Sequence, residues 1–241
     1  WCTFLRNHDE LTLEMVTEQE RQWMWEQYAP EPRMRLNLGI RRRLASLLDH
    51  DPRKIALANS LLFTLPGSPI IYYGDEIGMS DNIQLEDRNG VRTPMQWQNS
   101  VHAGFSKAQK AYSPIIDEPL SPLSLINVDA QRKDPRSLWN TIHGMILMRK
   151  SHPALADGSF QWIDCRNQAV FAYSRDDGQD RLLFVHNLSD QEQKIEIDFP
   201  AGRLQDMFRG TIFIPAQGQF ELTLKPFGYS WLWEPPPPGS P

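Results

Sequence analysis

Cysteine is almost absent from the chain: Cys2 and Cys165 are the only two in 241 residues. Two thiols make neither a disulfide framework nor a cysteine-based zinc site, and they point to a reducing, cytoplasmic setting. No apolar run approaches the roughly 20 residues that span a bilayer, so no membrane partner is expected. Positive charge is also short. The chain holds 25 Lys and Arg against 30 Asp and Glu, a formal charge of −5. Nucleic-acid binders carry a positive excess to meet phosphate, so that class of partner is set aside. A signal-peptide pattern is missing, and the first residue is Trp1 rather than Met. A start directly on an apolar strand leads us to expect a piece of a longer parent, with a processed mature terminus as the competing explanation.

What is present is ordinary for a globular protein, with 40% hydrophobic and 23% charged residues. The length suits one large domain or two ordinary ones. Thr3-Phe4-Leu5 reads as a short strand that ends in Asn7-His8-Asp9-Glu10, an amide, an imidazole and two carboxylates in a row. Such a cluster suits a binding site at the end of a strand, and it equally suits a plain strand-to-loop turn with a capping Asp. Thr17 and Glu20 have capping-box spacing and predict a helix to about Tyr28, closed by Pro30 and Pro32. Asp51-Pro52 opens a second helix with apolar residues at helical spacing from Ile55 to Leu65. The run Ile70-Ile71-Tyr72-Tyr73 reads as a strand buried on both faces. Strand, helix, strand points to an α/β fold.

A long polar stretch, residues 74–133, follows, and loops of that length are expected to be functional or disordered. Asp134-Pro135 predicts another helix opening, continuing to about Lys150. From residue 151 to 234 short alternating runs separated by turns predict an antiparallel β-sandwich, with Tyr229, Trp231 and Trp233 on one face, read as sandwich core in preference to a sugar platform. Residues 235–241 read as a proline-rich tail or linker. Arg41-Arg42-Arg43 reads as a solvated or ion-paired helix face, with a phosphate site as the lesser alternative, Cys165 as a small buried filler, and His143 and His152 offer no metal spacing.

Several stretches carry a resemblance. Phe4-Leu5-Arg6-Asn7-His8-Asp9 resembles the motif ending the seventh barrel strand of the α-amylase family of glycoside hydrolases, and 67–76 (Gly-Ser-Pro-Ile-Ile-Tyr-Tyr-Gly-Asp-Glu) resembles its eighth strand. Asp87-Arg88-Asn89-Gly90-Val91-Arg92-Thr93-Pro94-Met95-Gln96-Trp97 is similar to the signature of its oligo-1,6-glucosidase and trehalose synthase branch, as is Asn127-Val128-Asp129-Ala130-Gln131. The run from Arg6 to Val16, with 37–45, is similar to the synthase side of that branch. The resemblance implies an α/β part followed by an all-β part. Residues 1–150 would be the C-terminal portion of a (β/α)8 barrel, about strands 7 and 8, including the active-site loop 74–133, and 151–234 the sandwich.

It also implies roles. Asp9 would stabilise the cationic transition state and His8 would bind the reacting sugar. Arg88 and Arg92 would close the pocket around it. Asp75 and Glu76 would only support. The nucleophile Asp and acid/base Glu that retaining glycoside chemistry needs would lie in missing upstream strands, so the isolated chain is expected to be inactive. The parent would interconvert maltose and trehalose, holding glucose between the two. A hydrolase of the α-glucosidase or oligo-1,6-glucosidase type is the alternative, and a non-catalytic carbohydrate-binding or interaction module is a reading of another class. No metal or cofactor is expected in this chain, with calcium left to the missing N-terminal part. A homo-oligomer or a fused sugar kinase in the parent completes the expected partners.

Overall fold

The computed structural model describes residues 1–235. The proline-rich tail expected at 235–241 therefore lies, beyond Pro235, outside the described residues. Two compact units divide the chain, and neither is continuous in sequence. One comprises 2–56 and 69–142, the other Trp1, 57–68 and 143–241. Among the described residues no helix is long and apolar enough to cross a membrane.

The first unit opens with strand β1 (Cys2–Phe4) and helix α1 (Glu18–Tyr28). The predicted capping box starts α1: Thr17 Oγ1 accepts from Glu20 N at 3.3 Å, and Glu20 Oε2 accepts from Thr17 N at 2.8 Å. Short strands β2 (Arg35–Leu36) and β3 (Gly39–Ile40) pair antiparallel, and Leu11 bridges to Ile40. Helix α2 (Leu44–Leu47) precedes α3 (Pro52–Thr64), which begins where Asp51 Oδ1 accepts from Arg53 N at 2.9 Å and belongs from residue 57 on to the second unit. Strand β4 (Ser68–Ile70) neighbours β1 in a two-stranded sheet.

Two expectations are corrected here. The strand ends at Ile70 rather than Tyr73, because Tyr72 O accepts from Asp75 N and turns the chain, with Gly74 at φ 86°. It is also not buried on both faces: Ile70 is 49% exposed and Phe4 on its neighbour 47%, since neither of these two strands has a second neighbour among the described residues.

The stretch 74–133 is ordered by buried amides rather than by periodic structure. Gln96 Nε2 donates to Ile116 O and Ile126 O at 3.1 and 3.0 Å, and Gln131 Nε2 donates to Ile77 O at 2.7 Å. A small core of Ile77, Met79 and Met95 fills the space between. One helix, α4 (Val128–Lys133), forms where Asn127 caps it by accepting from Ala130 N at 2.8 Å. Helix α5 (Leu138–Ser151) starts three residues later than Asp134-Pro135 predicts. Asp134 spends its carboxylate on a turn, accepting from Arg136 N, and Ser137 Oγ takes the cap by accepting from Asn140 N.

The second unit holds the sandwich. After α6 (Ala154–Asp157) come β5 (Ser159–Ile163), β6 (Val170–Asp176), β7 (Arg181–Asn187), β8 (Gln193–Asp198), β9 (Leu204–Asp206), β10 (Ile212–Phe213), β11 (Gln219–Leu224) and β12 (Tyr229–Trp233). The large sheet runs β10-β9-β12-β7-β6-β5 and the small one β11-β8, with every one of these pairs antiparallel, as the alternating runs predict. Leu183, Val185, Ile195, Ile197, Phe220, Leu222 and Leu232 interleave as the apolar core, and Cys165 fills a corner of it.

The small sheet alternates buried and exposed positions, whereas β7 is buried along nearly its whole length. The reason is a second covering layer. On the face opposite the core, Trp231 Nε1 donates to Ser60 Oγ of α3 at 2.7 Å, and Tyr173 meets Thr64 Oγ1 at 2.6 Å. The expectation that Tyr229, Trp231 and Trp233 form the sandwich core is thus corrected. Trp231 is fully buried but lies against the helix, while its chain neighbour Leu232 enters the core. His186 stands on the helix side too, 2.9 Å from Ser60 Oγ, and burial lowers it to about 3, so its ring is neutral.

Candidate functional site

The predicted cluster sits in the first unit, just past the end of β1. Asn7 Oδ1 accepts from Asp9 N at 2.9 Å, a local turn that a short amide side chain makes readily. Arg6 is almost fully buried and grips the turn from behind. Its Nε donates to Arg42 O at 2.6 Å, and one terminal nitrogen donates to both Asp9 O and Ile40 O at 3.1 Å. The Asp9 carbonyl is therefore fixed while its carboxylate faces outward, 39% exposed.

Arg88 arrives from the 82–90 loop and spans three acids. Its Nε donates to Asp9 Oδ1, and its terminal nitrogens stand 2.8 Å from Glu10 Oε2 and 2.8 Å from Asp87 Oδ1. Glu10 Oε1 also accepts from Asn37 Nδ2 at 2.8 Å. Asp9 is held well below the usual carboxylate range, first by hydrogen bonding with the adjacent Glu10 carboxyl and then by the Arg88 guanidinium. It is a fixed negative charge at neutral pH. Arg92 Nε donates to His8 O at 2.9 Å, so its bond is to the backbone and leaves the exposed imidazole aside.

Under these groups lies a polar floor. Tyr72 and Tyr73 hydroxyls donate to Val91 O and Thr93 O at 2.9 and 2.8 Å, fixing both neighbours of Arg92. Arg43, fully buried, lies 4.8 Å from the centre of each tyrosine ring, an arrangement that attracts a cation to ring faces. It donates to Tyr73 O at 2.7 Å and stands 3.6 Å from Asp75 Oδ1. Burial raises Asp75 to about 7, and the opposing pull of Arg43 only partly offsets it. Arg42 makes a two-pronged contact with Asp81, both at 2.9 Å. The reading of Arg41-Arg42-Arg43 as a helix face is thereby corrected. The triplet is an extended, largely buried segment between β3 and α2. Guanidinium groups reach buried sites when their donors are taken up, here by carbonyls for Arg41 and by a carboxylate for Arg42. Arg43 bonds through one terminal nitrogen, leaves Nε and the other without a hydrogen-bond partner, and rests on the two tyrosine rings.

Beside Arg92 opens a cavity of about 800 Å³, lined among others by Tyr73, Glu76, Trp97, Phe105 and Tyr112. Trp97 and Phe105 are about half-exposed. Flat apolar faces beside an arginine fork suit the C–H face and hydroxyl edge of a sugar ring. No group of three His, Cys, Asp or Glu able to hold a metal occurs among the described residues.

Of the expected site residues, Asp9 and Arg88 come into direct contact and His8 and Arg92 meet through a backbone carbonyl. Glu10 is visible in the sequence as part of the cluster, but nothing there ties it to Arg88. Phe105 and Tyr112 carry no pattern that marks them.

A strand-end carboxylate paired with Arg88, on a chain that runs from α/β elements into a sandwich, defines a class. A model of the α-amylase catalytic domain matches residues 3–158, and one of the maltogenic amylase C-terminal domain matches residues 160–231. The chain belongs to the α-amylase family of glycoside hydrolases. Within it the chain is 47% identical to a trehalose synthase of Pimelobacter sp. (strain R48), covering 96% of this chain and 42% of that protein. It is 48% identical to a trehalose synthase/amylase of Mycobacterium tuberculosis, covering 96% of this chain and 40% of that one. The chain thus spans about two fifths of the length of these relatives. Among solved structures, the α-amylase of H. orenii superposes with a TM-score of 0.67 at 23% identity, over 97% of this chain and 40% of that one, which shows the shared fold.

Proposed function

We propose that this chain supplies the transition-state-stabilising and sugar-contacting part of an α-glucosyl-transfer site, in an enzyme that interconverts maltose and trehalose. The observation that carries the proposal is Asp9: an outward-facing carboxylate, kept ionised, at the end of β1 and within reach of Arg88. A fixed negative charge there favours the cationic sugar of the transition state over the neutral substrate. The likeness to trehalose synthases over 96% of the chain supports the choice of substrate.

Two-step retaining chemistry needs a nucleophile and an acid/base besides Asp9. In this reading both come from sequence beyond this chain, so the chain alone does not turn over. In the full-length enzyme the bond from C1 of the glucosyl unit to O4 of the second glucose breaks. As it breaks, C1 bonds to the nucleophile carboxylate and O4 takes the proton of the acid. The released glucose then turns and its O1 attacks C1, displacing the carboxylate and returning a proton to the acid/base, so trehalose forms with no net use of water. Arg88, Arg92 and the 74–133 loop keep water out while the glucose turns, and His8 binds the reacting ring. A second reading is hydrolysis, with water as the acceptor; the mycobacterial relative's name, trehalose synthase/amylase, favours keeping it.

Incubating the full-length enzyme with maltose and resolving trehalose from glucose separates the two. Trehalose as main product is expected, and glucose alone would establish the hydrolytic reading. Asp9→Asn should lower turnover on the order of 10²- to 10³-fold, as loss of a transition-state group does. Arg92→Ala should shift product from trehalose toward glucose. An unchanged ratio would mean that Arg92 has no part in excluding water.

A further inference from the structure

Arg88 stands near the C-terminal end of a loop whose shape has an identifiable cause. The loop, residues 82–90, is closed at its base by Asn82 N donating to Gly90 O at 3.0 Å. Only glycine fits at that closure, because a Cβ on residue 90 would stand 2.3 Å from Asn82 O. Between these ends the loop has little regular structure. Turn hydrogen bonds take up the carbonyls of Asn82, Glu86, Arg88, Asn89 and Gly90, whereas those of Ile83, Leu85 and Asp87 meet no backbone N–H of a strand or helix.

One side chain meets them. Arg41, on the segment just after β3, is 9% exposed. Its guanidinium donates to Leu85 O at 2.6 Å, Ile83 O at 3.1 Å and Asp87 O, and also to Arg33 O at 2.6 Å. Asp87 adopts φ 51°, the left-handed region that Asp tolerates better than most residues, and its carbonyl is among those gathered in. The next residue is Arg88. No carboxylate stands within ion-pair distance of Arg41 among the contacts of the described residues. The planar five-donor group is used here as a template for backbone.

We propose that Arg41 is a positioning residue: its buried guanidinium gathers the carbonyls of the 82–90 loop and so sets where Arg88 stands against Asp9 and Glu10. This rests on the glucosyl-transfer reading for its consequence, though not for its geometry. Arg41 touches no sugar and acts only through Arg88. Lysine cannot replace it, since a single ammonium on a flexible stem cannot span four carbonyls in one plane.

The test uses the full-length enzyme and two readouts. The first is amide exchange: Arg41→Gln and Arg41→Lys should speed exchange across 82–90 and leave β6 and β7 of the sandwich protected. Unchanged exchange in the loop would overturn the proposal, and loss of protection in both regions would mean general unfolding and overturn it too. The second is the ratio of trehalose to glucose formed from maltose. Each Arg41 variant should lower it in the native background, yet change it less than about twofold in an Arg88→Ala background, as for residues acting through one contact. An equal drop in both backgrounds would sink the idea that Arg41 works through Arg88. If Arg88→Ala alone leaves the ratio unchanged, the role of Arg88 in glucosyl transfer fails, and loop exchange still decides whether Arg41 holds the loop.

Discussion

The two units bury their interiors by different means. The sandwich closes over a continuous apolar core, with Leu183, Val185, Phe220, Leu222 and Leu232 interleaved from both sheets. Around Asp9 and Arg88 the interior is polar. Arg6, Arg41 and Arg43 are buried, as are Gln96 and Gln131, and each donates to backbone carbonyls. Strands satisfy their own backbone through the ladder, so the space between the two sheets needs only apolar volume, and buried polar groups such as Arg175 and Asn187 serve carbonyls at its margins. Loops leave carbonyls facing inward, and an apolar filling would strand them at a cost of about 1–3 kcal/mol each. A loop-built site therefore needs a polar frame.

The largest effect that tests this contrast falls on the apolar side. Leu183→Ala removes a fully buried side chain from the middle of the large sheet. It should destabilise the sandwich by about 2–5 kcal/mol in denaturant unfolding, as cavity-forming substitutions do. Below its unfolding transition, product ratio and turnover in the full-length enzyme should stay at native levels. A selective change in the product ratio would show that the two kinds of interior are not independent.

The same contrast explains what could be read from sequence. The strands β8 and β11 alternate cleanly, so their faces follow from the residue pattern alone. The run Leu182-Leu183-Phe184-Val185 does not, because helix α3 covers the second face of β7's sheet, a tertiary fact no local pattern carries. Local capping was legible: Thr17 with Glu20, and Asp51 before Pro52. Asp134 shows the limit, since one carboxylate can serve a turn as well as a helix start. At the site, Asp9, His8, Arg88 and Arg92 stood out through motif likeness. Arg41 did not. Three adjacent arginines look like a solvated or ion-paired face until the carbonyls that occupy Arg41, 42–46 residues away in sequence, are in place.

A pH test sharpens the comparison from the polar side. Asp75 has its carboxyl raised from an ordinary value of 3.8 to about 7, mainly by burial. Between those values the folded state holds a proton that the unfolded state has released. Stability must then fall as pH rises from about 4 to 7, by up to about 1.4 kcal/mol per pH unit for one such group. Burial raises Glu76 as well, and it contributes in the same direction. Asp75→Asn should flatten this slope, seen in denaturant unfolding at a series of pH values. A slope equal to that of the native protein would mean that Asp75 stays ionised in the fold, stabilised by Arg43. The open acid behaves oppositely: Asp9 is lowered, so whatever it adds to stability is present above its ordinary pKa and lost as pH falls.

The smallest expected effect concerns α1, which belongs to the polar-framed unit yet has no buried residue of its own. Only partly buried Met24 and Trp25 pack it against Leu13, Ala29 and Ile40, and Arg35 lies 4.9 Å from the Trp25 ring. With so little packing, the start of the helix depends on the Thr17–Glu20 box. An exposed cap of this kind contributes about 1 kcal/mol. Because α1 shares little interior with the rest of the unit, that loss should stay local. Thr17→Ala should speed amide exchange in the first turns of the helix, residues 18–23, while the global unfolding midpoint barely moves. A clear fall in the midpoint would tie α1 into the cooperative frame around Asp9 and extend the polar frame to a helix that shows no buried contact with it.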